Sequence, residues 1–144
     1  AQAKHYPEIK HFQGLPGIGF IHAATISAML ETPYRFPDKK KVWMYAGLGI
    51  MRRSSGGRVY SEKLSTEYNR LLKYTVKQAA EAAIQAKDNP FRRKYLDMTL
   101  LRGIAPHRAK LTIARDMLAT MWAMWRKGEK YSSEIREHAA YKQD

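Results

Sequence analysis

Apolar positions recur along this chain in steps of three and four and nowhere in sustained alternation, so the pattern predicts helices and no strands. A short helix over Tyr6–Gln13 puts Ile9 and Phe12 on one face, with Pro7 suited to its first turn. A tight Gly17-Ile18-Gly19 turn leads into a second helix, Phe20–Leu30, with Ile21, Ala24, Thr25 and Ala28 as its packing face. Two prolines in Thr32–Pro37 break the chain before a third helix that Asp38 or the preceding turn can cap, ending at Gly47 and Gly49. A long helix is expected from about Ser65, as N-cap, to Ala86, with Leu71, Leu72, Val76, Ala79, Ala80, Ala83 and Ile84 inward. Asp88-Asn89-Pro90 is a stop and a restart. A helix from Phe91 to Arg102 then carries Phe91, Tyr95, Met98 and Leu101 on one side, and Gly103 ends it. Pro106 opens the last main helix, to about Lys127, with a stripe of Leu111, Ala114, Leu118, Met121, Trp122 and Trp125. The expectation is an all-α single domain of about six helices over residues 1–128, followed by a polar tail, 129–144.

Charge narrows what such a domain meets. Among 144 residues, 26 Lys and Arg face 13 Asp and Glu, a net charge of +13 at a pI near 10.0. That surplus points to a polyanionic partner, nucleic acid or an anionic membrane surface. There is no Cys, which excludes disulfides and thiolate metal sites. The longest uncharged apolar stretch, Met117–Trp125, is far short of the ~20 residues a membrane helix needs. No signal peptide is legible, and no Met opens the chain at Ala1, as in a fragment or a processed product. A soluble intracellular protein is the expectation.

Two features carry candidate chemistry. The first is the turn at Gly17-Ile18-Gly19. With its two short helices, over about 6–31, it resembles a helix-hairpin-helix DNA-binding element, in which backbone N–H groups at a helix N-terminus attract a phosphate without reading a base. Ordinary turn chemistry uses the same glycines. If the phosphate reading holds, bulky replacements at Gly17 and Gly19 weaken binding without unfolding the domain. The second feature is Arg52-Arg53-Ser54-Ser55-Gly56-Gly57-Arg58, in which two hydroxyls and two glycines sit among three arginines. Glycines let backbone approach a ligand closely, and arginine forks suit phosphate. Lys63, Arg70 and Lys73 follow, and Arg92-Arg93-Lys94 with Arg102 form a separate basic group. The plain alternative for all of these is a solvated basic surface. A serine attacks a phosphodiester when it is exposed, loses its proton and finds the phosphoryl charge neutralised. Ser54 and Ser55 meet the charge condition, but no base lies nearby in sequence. The five His and the dispersed carboxylates show no metal-ligand spacing, so no metal or other cofactor is expected in this domain.

The order of motifs adds a resemblance. Leu15-Pro16-Gly17-Ile18-Gly19, Pro33-Tyr34-Arg35-Phe36, Tyr45-Ala46-Gly47-Leu48, Ser54-Ser55-Gly56-Gly57, Asn69-Arg70-x-Leu72 and a late Ala114-Arg115 helix ending in Trp122-Ala123-Met124-Trp125 follow one another. Together they resemble the C-terminal transposase domain of the bacterial insertion-sequence transposases of group 110/116/902, over about Phe12–Lys127. The resemblance implies a DNA recombinase guided by a bridge RNA. It also implies a separate RNase-H-like domain whose four acidic residues bind magnesium. A serine of the C-terminal domain becomes linked to a DNA 5′ phosphate. Carried over, that serine is Ser55, with Ser54 as the alternative. Arg52, Arg53, Gly56, Gly57, Arg58, Lys63 and Arg70 would hold DNA around it, and Gly17, Ile18 and Gly19 would hold backbone in the hairpin. The family pattern has Lys and Gly where this chain has Thr66 and Tyr68, which affects the contact expected at that helix start. Homo-oligomerisation of the full protein and a cytoplasmic, nucleoid-associated location follow as expectations. Two other classes compete with this reading: a non-catalytic helix-hairpin-helix nucleic-acid-binding module, and a helical interaction domain whose charge is incidental.

Overall fold

The computed structural model describes residues 6–49 and 68–132. Ser54, Ser55, Arg52, Arg53, Gly56, Gly57, Arg58 and Lys63 lie outside the described residues, as do Ser65 and residues 133–144 of the expected tail. The described residues hold six α-helices and no strand: α1 (Pro7–Phe12), α2 (Phe20–Leu30), α3 (Lys39–Tyr45), α4 (Arg70–Gln85), α5 (Pro90–Leu96) and α6 (Pro106–Lys127). A 3-10 turn, Pro33–Arg35, precedes α3, and a π-helical turn, Asp97–Leu101, continues α5.

Polar caps set most boundaries. Asp38 Oδ1 accepts from the Lys41 N–H at 3.0 Å and opens α3. Asn69, in extended conformation, accepts from the Leu72 N–H at 2.9 Å and opens α4. The described helix therefore begins four residues after the Ser65 expected to cap it. Buried Asn89 joins two helices. Its Oδ1 accepts from the N–H groups of Phe91 and Arg92, while its Nδ2 donates to the carbonyls of Ala83 and Lys87. Left-handed Gly128 closes α6.

The axis of the core is α6. Ile113, Ala114, Met117, Leu118, Met121 and Met124 are fully buried or nearly so, and α3, α4 and α5 pack against them. Small residues on α4 (Ala79, Ala80, Ala83) allow its close approach, and α2 lies on the other side of α4 with α1 against α2. The ring of Phe12 meets that of Trp125 edge to face, centroids 5.8 Å apart, and Tyr131 lays its ring against Phe91 just after α6. Two polar pairs lie inside. Ser27 Oγ donates to Glu8 Oε1 at 2.7 Å, and the Lys94 ammonium sits 2.6 Å from Asp116 Oδ2.

Three expected faces differ from those observed. The residues α2 buries are Ala23, Ile26, Ser27 and Leu30, leaving Ile21 77% exposed and Ala28 at the surface. Apolar residues surround this helix, so periodicity could not pick its inner side. Leu71 is exposed where the α4 stripe included it, and Thr75 is buried instead. Leu101 is 80% exposed although Met98 is 5% exposed. The π turn between them rotates Leu101 off the face that an α-helical step would have kept.

Candidate nucleic-acid interface

The stretch with the two serines leaves the described fold after Gly49 and returns at Tyr68. Its two ends meet at one stem. The Asn69 N–H donates to the Tyr45 carbonyl at 2.8 Å. Gly47 has φ +72°, and a Cβ on it would sit 2.5 Å from the Tyr68 ring. A side chain at 47 is thus excluded both by the left-handed backbone and by the aromatic lying over it.

The stem is tied down by side chains from four segments. Asn69 Nδ2 donates to Tyr45 Oη (3.2 Å) and to Met29 Sδ (3.3 Å), and Tyr45 Oη donates to the Met29 carbonyl at 3.3 Å. The Arg35 guanidinium lies 4.9 Å from the Tyr45 ring centre and 5.3 Å from that of Phe36. Its Nη1 donates to the Leu30 carbonyl at 3.0 Å, satisfying the end of α2. On the other side, Arg115 of α6 donates from Nη1 to the Leu48 carbonyl at 3.3 Å, while the Trp43 indole donates to the Arg115 carbonyl at 2.9 Å. The segments Pro33–Phe36, Tyr45–Leu48, Asn69–Arg70 and Ala114–Arg115, distant in sequence, converge here.

The surroundings are basic. Arg70 is exposed at the first position of α4, and the Lys73 ammonium lies 4.9 Å from the Tyr68 ring centre. Lys39, Lys40 and Lys41 open α3. Burial lowers the pKa of Arg115, with nearby Asp116 opposing the shift, and burial likewise lowers that of Lys39, again opposed by Asp116. No three His, Asp or Glu side chains gather to hold a metal ion among the described residues, and no helix there is long and apolar enough to cross a membrane.

The hairpin residues take separate roles. Ile18 is a core side chain, 6% exposed. Gly17 has φ +80°, and a Cβ there would lie 2.4 Å from the Ala83 nitrogen of α4, so this glycine is required by packing. Gly19 is exposed, has open space around it, and leads the first turn of α2 without a side-chain cap. The 11 residues of α2 separate this turn from the stem by roughly 16 Å along the helix axis. Arg70 is thus gathered with the stem, and the hairpin turn is not. Sequence reasoning assigned no role to Tyr45, Arg35 or Arg115. They stood in the motifs used for the resemblance, but nothing local in the sequence showed that they meet.

In architecture the described residues form an all-α domain in which the residues flanking 50–67, Gly49 and Tyr68, adjoin one stem. Residues 9–96 match the family Transposase IS116/IS110/IS902, and the chain belongs to that family. It is 31% identical to the insertion element IS110 uncharacterized 43.6 kDa protein of Streptomyces coelicolor, over 84% of this chain and 29% of that protein. It is 28% identical to the insertion element IS116 uncharacterized 44.8 kDa protein of Streptomyces clavuligerus, over 79% of this chain and 28% of that protein. With the transposase for insertion sequence element IS1111A of Coxiella burnetii it shares 25% identity, over 91% of this chain and 36% of that protein. The chain therefore spans only 28–36% of the length of these relatives. No solved structure matches it with significance.

Proposed function

We propose that this chain is the serine-bearing DNA-recombining domain of an insertion-sequence transposase. The observation that carries the proposal is the stem. Side chains from the family's motifs hold both ends of residues 50–67 together, next to Arg70, and those residues contain Ser54 and Ser55. Membership of a transposase family supports DNA as the partner. Ser55 is the nucleophile in this reading, with Ser54 as the alternative. Its Oγ attacks phosphorus, an Oγ–P bond forms to the 5′ phosphate, and the P–O3′ bond breaks. The serine proton passes to a base outside this chain, and the 3′ oxygen leaves as a hydroxyl after taking up a proton. Rejoining is the reverse, with a 3′ hydroxyl displacing the serine. Arg52, Arg53 and Arg58 neutralise the phosphoryl oxygens, Gly56 and Gly57 let backbone approach them, and Lys63 and Arg70 hold the flanking strand. The carboxylates that bind magnesium belong, in this reading, to a separate acidic domain.

At the hairpin, Gly19 offers the open first turn of α2 to a backbone phosphate, as in a helix-hairpin-helix element. Guide RNA and self-association are assigned to the full-length protein, which recombines in the cytoplasm. The test is to trap a covalent protein–DNA adduct with the full-length protein. Ser55→Ala should abolish the adduct while DNA binding persists. An adduct that survives Ser55→Ala but not Ser54→Ala moves the role to Ser54, and one that survives both removes the nucleophile from this pair. That last result leaves a non-catalytic nucleic-acid-binding module.

A further inference from the structure

Two neighbouring basic segments, 94–102 and 108–115, line one cleft. It lies between α5 with its π turn and the N-terminal half of α6, encloses about 810 Å³, and is walled by Lys94, Arg102, Arg108 and Arg115, with Thr112 and Leu111 between them. Among the described residues no carboxylate lines it. Lys94 is already paired with buried Asp116, which fixes its position and cancels its charge. Arg102 and Arg108 are exposed and have no carboxylate within ion-pair distance among the described residues. Arg115 is held in place by bonds from Nη2 to Thr112 Oγ1 (3.2 Å) and from Nη1 to the Leu48 carbonyl, which leaves further donors of its five unused. Three guanidinium groups around this space repel one another, only Arg115 among them being offset by nearby Asp116, and an anion relieves that repulsion. The positive end of the 22-residue α6 adds to the same field, since Ala105 at its start lines the cleft.

The cleft is continuous with the stem. Arg115, which lines it, also binds the carbonyl of Leu48, one residue before Gly49. We propose that this cleft is a second nucleic-acid site, which seats the phosphodiester backbone of a strand through Arg102, Arg108 and Arg115. It takes charge and shape without reading bases, and it does not depend on which serine reacts.

The test is equilibrium binding by the full-length protein, carrying Ser54→Ala and Ser55→Ala so that no chemistry intervenes at either serine. The probes are a short duplex DNA and a short single-stranded RNA of arbitrary sequence, each over a range of salt. Replacing Arg102 and Arg108 together with alanine should weaken binding roughly tenfold or more at moderate salt. It should also flatten the slope of log K against log salt by about 1.8 for the duplex or about 1.4 for the single strand, the values for two lost phosphate contacts. A change on the duplex alone assigns the cleft to DNA, a change on the RNA alone assigns it to RNA, and a change on both assigns it to either strand. The Arg102→Lys, Arg108→Lys pair should keep the slope. Lys127→Ala with Lys130→Ala removes the same charge at the far end of α6, roughly 30 Å away. Slopes unchanged on both probes overturn the proposal, as does an equal loss in this distal pair. Should the alanine pair fold poorly, Arg102→Gln with Arg108→Gln gives the same readout. The serine assignment is read from the adduct, so its failure and the failure of the cleft remain distinct.

Discussion

Replacing Gly17 by alanine separates two roles that one glycine-rich turn can play. The backbone at Gly17 has φ +80°, which costs an L-residue about 1–2 kcal/mol. The new Cβ would stand 2.4 Å from the nitrogen of Ala83, 2.8 Å from the carbonyl carbon of Ala82 and 2.9 Å from Ala83 Cα. These are backbone atoms in the last turn of α4, so no side chain can swing aside. Overpacking of this kind costs about 1–3 kcal/mol more. The sum, about 2–5 kcal/mol, is a large fraction of the ~5–15 kcal/mol that holds a domain together. For a chain of this size it lowers Tm by roughly 7–17 °C. Gly19→Ala is the matched control. Its φ is −91°, nothing lies within 4 Å of the added carbon, and only the small advantage of Gly over Ala as an N-cap is lost, about 0.5 kcal/mol. Thermal melts followed by circular dichroism at the helix band measure both. A Gly17→Ala variant that melts within ~2 °C of the parent refutes the packing argument. So does a Gly19→Ala variant that falls as far as Gly17→Ala. The DNA-contact reading is then tested at Gly19 alone, where a bulky residue should weaken DNA binding and leave the melt unchanged.

Other perturbations report on the junctions that position the interface. Asn89→Ala removes two helix caps and leaves the Ala83 carbonyl short of a donor in the interior, and denaturant unfolding should show a loss of about 2–3 kcal/mol. Gly47→Ala pushes against the Tyr68 ring from a left-handed backbone, so the stem should open, seen as faster hydrogen exchange at the Asn69 N–H that now donates to Tyr45. A double-mutant cycle with Asp116→Asn and Lys94→Met should give a coupling of about 1 kcal/mol or more, since each single change strands a partner beside the core, and strict additivity would refute the pair's role.

Much of the architecture was legible because local signals agreed. Gly128 after a helix, Asp38 before α3 and Asn89 between α4 and α5 each satisfy backbone groups that a helix end leaves open, Pro106 at the start of α6 removes one such N–H, and the structure puts boundaries at all of them. Asn69 meets the same local criterion as Ser65, and what ties it to the start of α4, its contacts with Tyr45 and Met29, is not local in the sequence. Burial faces were harder. Among the described residues α6 buries Ile113, Met117 and Met124 along with Ala114, Leu118 and Met121 of its expected stripe, while Leu111, Trp122 and Trp125 are only partly buried, because helices pack on several of its sides. A stripe argument assumes one wet side. At the site, Arg70 was found from its neighbours in sequence. Arg115 was not, since its part depends on a bond to Leu48, 67 positions away.

That bond has a consequence for how a nucleic acid lies on the domain. The stem and the cleft share Arg115, so a strand held at one is already close to the other. The turn at Gly19 stands apart at the far end of α2. One phosphate cannot touch both ends of an 11-residue helix, which are roughly 16 Å apart. A strand that uses all three features must therefore run along the protein over several nucleotides, and removing charge at the cleft must then weaken what the stem can hold. If the hairpin instead meets a different strand or none, Gly19→Leu leaves binding of the duplex at the cleft unchanged. Measuring the Gly19→Leu variant, the Arg102→Ala/Arg108→Ala pair and their combination on one duplex decides this. A Gly19→Leu loss that adds in free energy to the loss at the cleft puts turn and cleft on the same duplex, whereas a combined loss equal to that of the cleft pair alone leaves the turn off it.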